Sequence, residues 1–210
     1  MNYETLKRIM DIFLAVSLGT IFLPVSLIVV VAIKLESPDG PIFADTPPRV
    51  GKNGKLFTTY KFRSMIPNAV NYLKEHPELF EKYKKNSFKL VDDPRVTSVG
   101  KFIRKYSLDE VPQFINVLLG DMSLIGPRPY YKDELEEQQS KYPFTKESVR
   151  RTLSVRPGIT GIWQVSGRSE VNFDKRIEMD AHYAQKMNLW YDLKILLKTP
   201  LVMLSGKGAV

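Results

Sequence analysis

The chain contains no cysteine and only two histidines among its 210 residues. The lack of cysteine excludes disulfide bonds and cysteine-based zinc sites, which fits a reducing environment such as the cytosol. His76 and His182 lie far apart and no metal-ligand spacing links them, so both are expected at the surface. Internal repeats and low-complexity tracts are absent as well. A chain of this length can form one domain with a sizeable core, or a small domain with a membrane element.

Acidic residues are outnumbered by basic ones. Lys and Arg total 31 against 23 Asp and Glu, which gives a formal net charge of +8. Such an excess favours anionic lipid headgroups, phosphorylated substrates or nucleic acid as partners. No helix-turn-helix, zinc-finger or RNP-like pattern is present, and the basic residues are dispersed instead of forming one stripe. Nucleic acid is therefore not expected as a partner.

A long uncharged segment lies near the N-terminus. Residues 12–33 carry no charge and are bounded by Asp11 and Lys34. As a helix that rises 1.5 Å per residue, this segment would be about 33 Å long, enough to cross a hydrocarbon core. It is too long for the apolar part of a signal peptide, and no small-residue cleavage site follows it. The pattern predicts a membrane helix within residues 1–36.

Pro24 lies in the middle of this segment and predicts a kink. Proline removes one backbone hydrogen bond and its ring collides with the carbonyl of Thr20. Ser17, Thr20 and Ser26 can help satisfy freed backbone groups in lipid. Basic residues flank both ends, and the positive-inside rule favours both ends on the cytoplasmic side. Three interpretations stay open: a broken helix that enters and leaves by one face, an ordinary kinked transmembrane helix, and a buried core helix.

The remaining residues, 37–210, predict an α+β domain. In order, the predicted elements are a short strand at 42–44, a hairpin turn at 51–55, a strand at 56–62, a charged helical stretch at 68–86 that Pro77 interrupts, and helices at 98–106 and 109–119. The stretch 183–204 mixes apolar positions with lysines. A helix in the membrane interface, anchored by Trp190 and Tyr191, and a helix packed on the domain explain this stretch equally well.

Two adjacent carboxylates, Asp109 and Glu110, fall where a helix is predicted to begin, in the sequence SLDEVPQ at 107–113. A helix N-terminus offers free N–H donors and a partial positive charge, which keep carboxylates ionised. An ionised aspartate can attack phosphorus without a general base, and its neighbour can hold a divalent cation. A capping box from Ser107 to Glu110 is the alternative, although Pro112 fits poorly with Ser107 as the N-cap. The pair therefore suggests phosphoryl transfer at a membrane surface.

Polar side chains that follow the pair suggest a cleft. Asp109, Gln113 and Asn116 share one face of the predicted helix, at the spacing i, i+4 and i+7. A face exposed to solvent is the alternative explanation of this spacing.

Two loops join arginine to proline and glycine. In GPRP, at 126–129, two prolines flank Arg128 and fix the backbone around a planar donor that suits a diphosphate. The second loop, at 155–168, carries Arg156 with an aromatic residue and Gln164 close behind, and ends at Arg168. Either loop alone can be a structural turn, but both beside a carboxylate pair favour a phosphate site.

Five motifs in a fixed order carry a family resemblance. They are YKFRSM at 60–65, SLDEVPQ at 107–113, GDMS at 120–123, GPRP at 126–129 and RPGITG at 156–161. With these motifs the chain resembles the bacterial sugar transferase family, the monotopic phosphoglycosyl transferases, over nearly its whole length. The sequence GIWQVSGR at 161–168 is most similar to the hexose-1-phosphate branch, which starts polysaccharide or exopolysaccharide assembly.

The resemblance implies a ping-pong reaction at the cytoplasmic face of the bacterial inner membrane. Asp109 would attack the sugar-linked phosphate of a UDP-sugar and release UMP, and undecaprenyl phosphate would then take the phosphosugar. Glu110 would be the partner of Mg²⁺ beside the nucleophile. Membrane lipids are the further expected partners, and the oligomeric state stays open. Galactose and glucose differ at one hydroxyl, and no residue can be tied to that position.

The resemblance also implies roles for particular residues. Basic and amide side chains at matching positions are candidates for substrate and phosphate contacts, namely Arg104, Arg128, Arg156, Lys61, Gln113 and Gln164. The family's re-entrant helix, broken at proline, carries over to Pro24. Many relatives have serine before that proline, whereas this chain has Leu23, so Thr20 or Ser26 is expected to substitute. Longer relatives carry extra membrane spans and a soluble domain, so the chain is expected to be a minimal enzyme or an excised catalytic domain.

Two other functions compete with this one. A transferase that binds both substrates at once would use Asp109 only as a metal ligand. A membrane-anchored scaffold that binds nucleotide sugars without turnover is the candidate from a different class.

Overall fold

Helices dominate the structure, a computed structural model that describes residues 2–85, 90, 92–167 and 171–205. The α-helices are α1 (Tyr3–Glu36), α2 (Ala69–Glu75), α3 (Pro77–Lys85), α4 (Ser98–Lys105), α5 (Gln113–Leu119), α6 (Lys132–Lys141), α7 (Lys146–Thr152), α8 (Phe173–Lys186) and α9 (Leu189–Ser205). The strands are β1 (Arg49–Val50), β2 (Leu56–Phe57), β3 (Ser123–Ile125), β4 (Tyr130–Tyr131) and β5 (Gly158–Thr160). Short 3₁₀ helices cover Lys52–Gly54, Leu108–Glu110 and Pro143–Thr145. The predicted α+β class is confirmed.

The strands form two small sheets. β1 is the central strand of an antiparallel sheet and pairs with β2 and β4, so that Arg49 lies opposite both Phe57 and Tyr131. β3 and β5 pair in parallel. The predicted hairpin turn at 51–55 is confirmed, with Asn53 in the left-handed region at φ 57°. This sheet order brings β1 beside a segment some 80 residues further along the chain.

The predicted strand at 56–62 is shorter than expected. It ends as a strand at Phe57, and its last residue, Phe62, forms only an isolated antiparallel bridge with Phe43. Asn116 takes the place of a neighbouring strand, because its side chain accepts from the Tyr60 amide at 2.9 Å and donates to the Thr58 carbonyl at 2.7 Å. The predicted strand at 42–44 is reduced to the same bridge.

The predicted helices are confirmed with two changes of boundary. The stretch 68–86 divides into α2 and α3, and Pro77 begins α3 as expected. α5 begins at Gln113, four residues after the predicted start, because Ser107 adopts a left-handed conformation at φ 55° that turns the chain first. At the C-terminus α8 and α9 are separate helices. α9 buries Asp192 and Ile195 and exposes Trp190 and Leu197, so one face packs while the other is open.

α1 is an apolar helix whose surface is largely uncovered. It is helical throughout from Tyr3 to Glu36, and the side chain of Asn2 caps its start by accepting from the Thr5 amide. Among the described residues it is the one helix long and apolar enough to cross a membrane. Only 11% of its most apolar window is buried, which argues against a core helix. Large apolar side chains along it, such as Phe13 and Ile28, are exposed, so the helix could be embedded in a membrane.

The helix is not interrupted at Pro24, so the predicted break remains a prediction. Thr20 donates its hydroxyl to the Val16 carbonyl and Ser26 donates to the Phe22 carbonyl, each at 2.9 Å. Both bonds reach back one helical turn from their own residue. Neither bond goes to the carbonyl of Thr20, which Pro24 leaves without its backbone partner.

The first turns of α1 are fixed to the domain by polar contacts. Asp11 is buried and accepts from the Leu124 amide at 3.1 Å and the Ser123 hydroxyl at 2.7 Å, both in β3. Arg8 donates to the carbonyls of Val117 and Leu118 at the end of α5. A cation at these carbonyls offsets the partial negative charge of the helix end.

The last turns of α1 are fixed to the same domain. Glu36 accepts from the amides of Ser98 and Val99 at the start of α4. Val29 and Ile33 pack in a buried cluster with Phe62 and Ile103, and each such side chain contributes about 1.5–3 kcal/mol. Both ends of the helix therefore contact one domain.

Candidate active site

Asp109 and Glu110 lie in a one-turn 3₁₀ helix, Leu108–Glu110. Ser107 makes no side-chain capping bond there, so the capping-box interpretation is wrong. The Asp109 carbonyl accepts from the Phe62 amide at 2.9 Å, which fixes the turn against the YKFRSM motif. The two carboxylates are thus held by a turn and a neighbouring segment, and not by the first turn of a long helix as expected.

Lys61 lies between the two carboxylates. Its ammonium group is 2.5 Å from Glu110 Oε1 and 4.0 Å from Asp109 Oδ2. Glu110 is therefore the paired carboxylate, and Asp109 keeps oxygens that make no ion pair at short distance. A single cation beside two carboxylates does not neutralise both of them. The remaining negative charge can bind a second cation or attack an electrophile.

The two carboxylates differ in their protonation behaviour. Burial raises the pKa of Asp109 to about 6, against the opposing charge of Lys61 and with a further upward push from Glu110. Burial acts in the same direction on Glu110, but the charges of Lys61 and Arg128 outweigh it and lower the pKa of Glu110. Burial therefore outweighs the nearby cations at Asp109, and its pKa lies above that of an ordinary aspartate. Asp109 is still mostly ionised at neutral pH. The protein environment shifts the pKa values of the two acids in opposite directions, as is common for paired carboxylates with different catalytic roles.

A small cavity, open to solvent, lies beside the pair. Its lining contains one acid, three basic side chains and two side-chain amides. The lining residues are Arg49, Thr59, Lys61, Glu110, Gln113, Arg128, Pro129, Gly158, Ile159 and Gln164. Five residues predicted from the sequence are therefore brought together: Lys61, Glu110, Gln113, Arg128 and Gln164. Three cations face one lining carboxylate, so the cavity is suited to an anion.

Arg128 is held in place from two sides. Its backbone amide donates to the buried Asp180 at 3.3 Å, and its guanidinium carbon lies 5.7 Å from the centre of the Trp163 ring. Burial works against its charge, but nearby acids, Glu110 first, raise the pKa of Arg128. The guanidinium is therefore a permanent and well-oriented donor at the cavity.

Three other predicted residues lie elsewhere. Arg156 is exposed and donates to the Gly120 carbonyl at 2.9 Å, so the geometry does not support its proposed phosphate contact. Arg104 donates to the Ser64 hydroxyl and does not line the cavity. Its charge opposes the rise that burial causes in the pKa of Asp109. Asn116 is fully buried and holds the backbone, as described above. Arg168 lies outside the described residues.

Arg49 is the cavity residue that the sequence analysis missed. It is only 7% exposed, its guanidinium carbon lies 3.4 Å from the centre of the Tyr131 ring, and it donates to the Pro129 carbonyl at 3.0 Å. Its Nε has no hydrogen-bond partner, and no carboxylate lies within 4.0 Å of it among the described residues. Burial lowers the pKa of Arg49. One feature of the sequence could have identified Arg49 as a candidate: it directly follows two prolines, much as Arg128 lies between two prolines.

Burying a cation without a counter-ion costs several kcal/mol of folding free energy. Arg49 therefore marks a place where the negative charge of a ligand would be stabilised. The orphaned Nε points to the same conclusion, since a buried donor normally has an acceptor. The Arg49 and Arg128 side chains come from segments far apart in sequence, yet both adjoin Pro129.

The donor set also bears on metal binding. No group of three or more His, Asp or Glu side chains is gathered among the described residues, so a cage built only from protein is not present there. Mg²⁺ usually binds through one or two carboxylates together with substrate phosphates and water. Asp109 and Glu110 beside an anion-binding cavity fit that second mode.

Comparisons with known proteins identify the family of the chain. A sequence model described as bacterial sugar transferase matches residues 2–206. The chain is 45% identical over 208 residues to the undecaprenyl-phosphate galactose phosphotransferase of Salmonella typhimurium, covering 97% of this chain and 41% of that protein. It is 45% identical over 213 residues to an uncharacterized sugar transferase of Haemophilus influenzae, covering 100% of this chain and 43% of that protein.

A shorter relative matches over most of its own length. The exopolysaccharide production protein ExoY of Sinorhizobium fredii is 42% identical over 204 residues, which cover 95% of this chain and 86% of that protein. The chain therefore spans less than half of the first two relatives and most of the third.

Proposed function

The chain belongs to the bacterial sugar transferase family, and from this premise we propose that it transfers a hexose-1-phosphate from a UDP-sugar to undecaprenyl phosphate. The reaction would begin assembly of an exopolysaccharide, capsule or O-antigen. The observation that carries the proposal is the position of Asp109, buried beside Glu110 and Lys61 at the edge of a cavity lined by Arg49 and Arg128. Cations grouped around an acid are the arrangement that phosphoryl transfer requires.

In the first half-reaction a carboxylate oxygen of Asp109 attacks the sugar-linked phosphorus. A bond forms between this oxygen and phosphorus, the bond from phosphorus to the bridging oxygen breaks, and UMP leaves with the electron pair. Lys61, Arg49 and Arg128 stabilise the negative charge on the phosphate oxygens. With the substrate phosphates, Glu110 would hold Mg²⁺, which supplies neutralising charge for the leaving group.

In the second half-reaction a phosphate oxygen of undecaprenyl phosphate attacks the same phosphorus. The bond from Asp109 to phosphorus breaks, which restores the free carboxylate and yields undecaprenyl-diphospho-hexose. Because the aspartate is a good leaving group compared with an alkoxide, one buried side chain can serve both steps. Lys61, which reaches both acids, is placed to stabilise charge in each step.

The proposal includes a re-entrant α1 at the cytoplasmic face of the inner membrane. Both ends of α1 contact the same domain, through Asp11 and Arg8 at its start and Glu36 at its end. A helix that crosses to the other side would have to place these contacts on opposite faces of the membrane. Contact of one domain with both ends supports a helix that returns at Pro24.

Accessibility labelling of introduced cysteines tests this topology. Because the chain has no native cysteine, only the introduced thiol can react. Single-cysteine variants Glu4→Cys and Asp39→Cys place one exposed thiol at each end of α1. Both thiols are expected to react with a membrane-impermeant maleimide only after the cells are permeabilised, in parallel with Lys175→Cys on the domain. Labelling of residue 4 in intact cells with residue 39 protected would show a complete crossing instead.

The roles of the cavity arginines give a second test. Because Arg49 is buried at the cavity and unpaired, Arg49→Gln is expected to lower kcat/KM for UDP-hexose by roughly 10²-fold, the usual loss for one donor at a developing anion. Arg156→Gln is the matched control, because its exposed side chain only holds the Gly120 carbonyl. It is expected to stay within about threefold of the unmodified protein. A larger loss in Arg156→Gln than in Arg49→Gln would reverse the assignment.

A further inference from the structure

Two glutamines line the cavity, and they differ in how their amide groups are used. The Gln164 amide is committed to the protein, because its Nε2 donates to the Ile159 carbonyl at 2.9 Å. Its Oε1 is enclosed and lies over Gly161, where a side-chain Cβ would come within 2.6 Å of it. Gln113 is only 3% exposed, and none of the described residues forms a hydrogen bond with its side chain. The Gln113 amide is therefore the one that a ligand can use.

The free amide of Gln113 is costly to bury without partners. A primary amide has two N–H donors and one carbonyl acceptor, and such groups are normally hydrogen-bonded inside a protein. Gln113 is the first residue of α5, whose next turn contains the fully buried Asn116 and Val117. Packing of this helix fixes the position from which the side chain reaches the cavity. A molecule bound in the cavity can supply the missing partners.

Gln113 lies one helical turn beyond the carboxylate pair. Val111 and Pro112 both have right-handed helical backbone angles, so the chain runs from the turn of Asp109 and Glu110 into α5 without changing direction. Residues three or four apart on a helical path have Cβ atoms about 5–6 Å apart. The Gln113 amide is therefore close to the groups bonded to the phosphorus that Asp109 attacks.

A phosphate matches only half of this amide. Ionised phosphate oxygens accept hydrogen bonds and donate none, so they would leave the Gln113 carbonyl oxygen buried without a donor. Charged donors for the phosphates already line the cavity, namely Arg49, Lys61 and Arg128. A hydroxyl group both donates and accepts, and it can satisfy either end of the amide. The partner that fits Gln113 is therefore a neutral hydroxyl.

The hydroxyls of a UDP-hexose belong to the hexose and to the ribose. The hexose is joined to the attacked phosphorus through one oxygen, whereas the ribose lies beyond the second phosphate and leaves with UMP. The hexose hydroxyl nearest to the attacked phosphorus is the one on C2. We propose that Gln113 hydrogen-bonds the C2 hydroxyl of the hexose that is transferred. This inference rests on the proposed function, because it takes a UDP-hexose as the donor.

One change in the protein combined with one change in the donor tests the contact. With the unmodified protein, kcat/KM for UMP release is expected to be about 30-fold lower for the 2-deoxy analogue of UDP-hexose than for UDP-hexose itself. Gln113→Met keeps the length of the side chain but cannot form these hydrogen bonds. It is expected to lose about 30-fold with UDP-hexose and to turn over the two donors within about threefold of each other.

Gln138→Met is the matched control, because Gln138 is a buried glutamine of α6 that does not line the cavity. This variant should keep the activity of the unmodified protein within about threefold, and it should keep the full preference for UDP-hexose over its 2-deoxy analogue.

Inhibition by UDP separates a contact with the hexose from a contact with phosphate. UDP carries the phosphates and the ribose but no hexose, so its inhibition constant for Gln113→Met is expected to stay within about twofold of the unmodified value. This result would also show that the variant still folds around its cavity. A rise of about tenfold or more would place Gln113 against phosphate or ribose, or in the stability of the site, and would overturn the inference.

The donor analogues decide the remaining cases. A Gln113→Met variant that still prefers UDP-hexose over the 2-deoxy analogue as strongly as the unmodified protein does would overturn the contact. Loss of discrimination against a 2′-deoxyribose donor, with discrimination at the hexose retained, would move the contact to the ribose and overturn it as well. An unmodified protein that releases no UMP from any UDP-hexose would refute the proposed function first, and the inference would fall with it.

Discussion

Asp109→Asn is expected to abolish UMP release from UDP-hexose and the hexose-phosphate adduct on the protein, by at least about 10³-fold. The amide keeps the shape of the side chain but has no anionic oxygen to attack phosphorus. Intact-protein mass spectrometry after mixing with donor alone measures the adduct, and a UMP assay measures turnover. Asp133→Asn, an exposed acid in the first turn of α6, is the matched control and should behave like the unmodified protein.

This experiment also separates the competing functions. Substantial UMP release by Asp109→Asn would refute the nucleophile assignment. An unmodified protein that completes the reaction but never shows an adduct would point to the ternary-complex transferase, with Asp109 only a metal ligand. No turnover under any condition would favour the binding scaffold. Glu110→Ala should come close to the Asp109 variant in activity, and both should remain with the membrane, because both residues lie in the Leu108–Glu110 turn and not in α1.

Lys61→Met is expected to lower the rate of adduct formation at neutral pH by about 10²-fold and to move its pH dependence upwards. In the unmodified protein the pKa of Asp109 is about 6, so the rate should fall tenfold per pH unit below 6 and level off above about pH 7. The charge of Lys61 lowers this pKa, and its removal therefore raises it further. The acid limb of the variant should lie at a higher pH than that of the unmodified protein.

The measurement is the pH profile of kcat/KM for UDP-hexose, because it reports the free enzyme. Lys61→Arg retains the charge and should keep the limb near pH 6 with a smaller loss of rate. Lys55→Met removes an exposed lysine from the hairpin turn and controls for net charge. A limb near pH 4 in the unmodified protein, the range of an ordinary aspartate, would contradict the role of burial. Circular dichroism of each variant shows whether the buried pair still folds.

Both predictions depend on how burial and the charge of Lys61 together set the reactivity and the ionisation of Asp109. Burial makes Asp109 a stronger nucleophile than a solvated carboxylate, because water no longer shields it, but burial also favours its protonated form. Lys61, 4.0 Å away, keeps it largely ionised without a close ion pair. Glu110 takes the short contact with Lys61 and so leaves the Asp109 oxygens available.

The sequence alone identified the long apolar helix, the α+β class and the carboxylate pair, because these depend on neighbouring residues. A long run without charge predicts a helix that can lie in lipid, and the family resemblance carried by the ordered motifs assigned Lys61, Arg128 and Gln164 to the site of the pair. The start of α5 was missed by four residues, since the left-handed turn at Ser107 is a backbone choice that its neighbours do not reveal.

Only the tertiary structure decided which cations surround the acid and how it titrates. Arg49 reaches the cavity because β1 pairs with β4, while Arg156, the more conspicuous arginine in the sequence, turns outwards to Gly120. The raised pKa of Asp109 arises from the burial of its side chain in the folded chain, which the spacing of residues in the sequence does not show. Local patterns thus fix the chemical groups and the apolar segment, whereas distance, burial and charge balance come from segments that meet only in the folded chain.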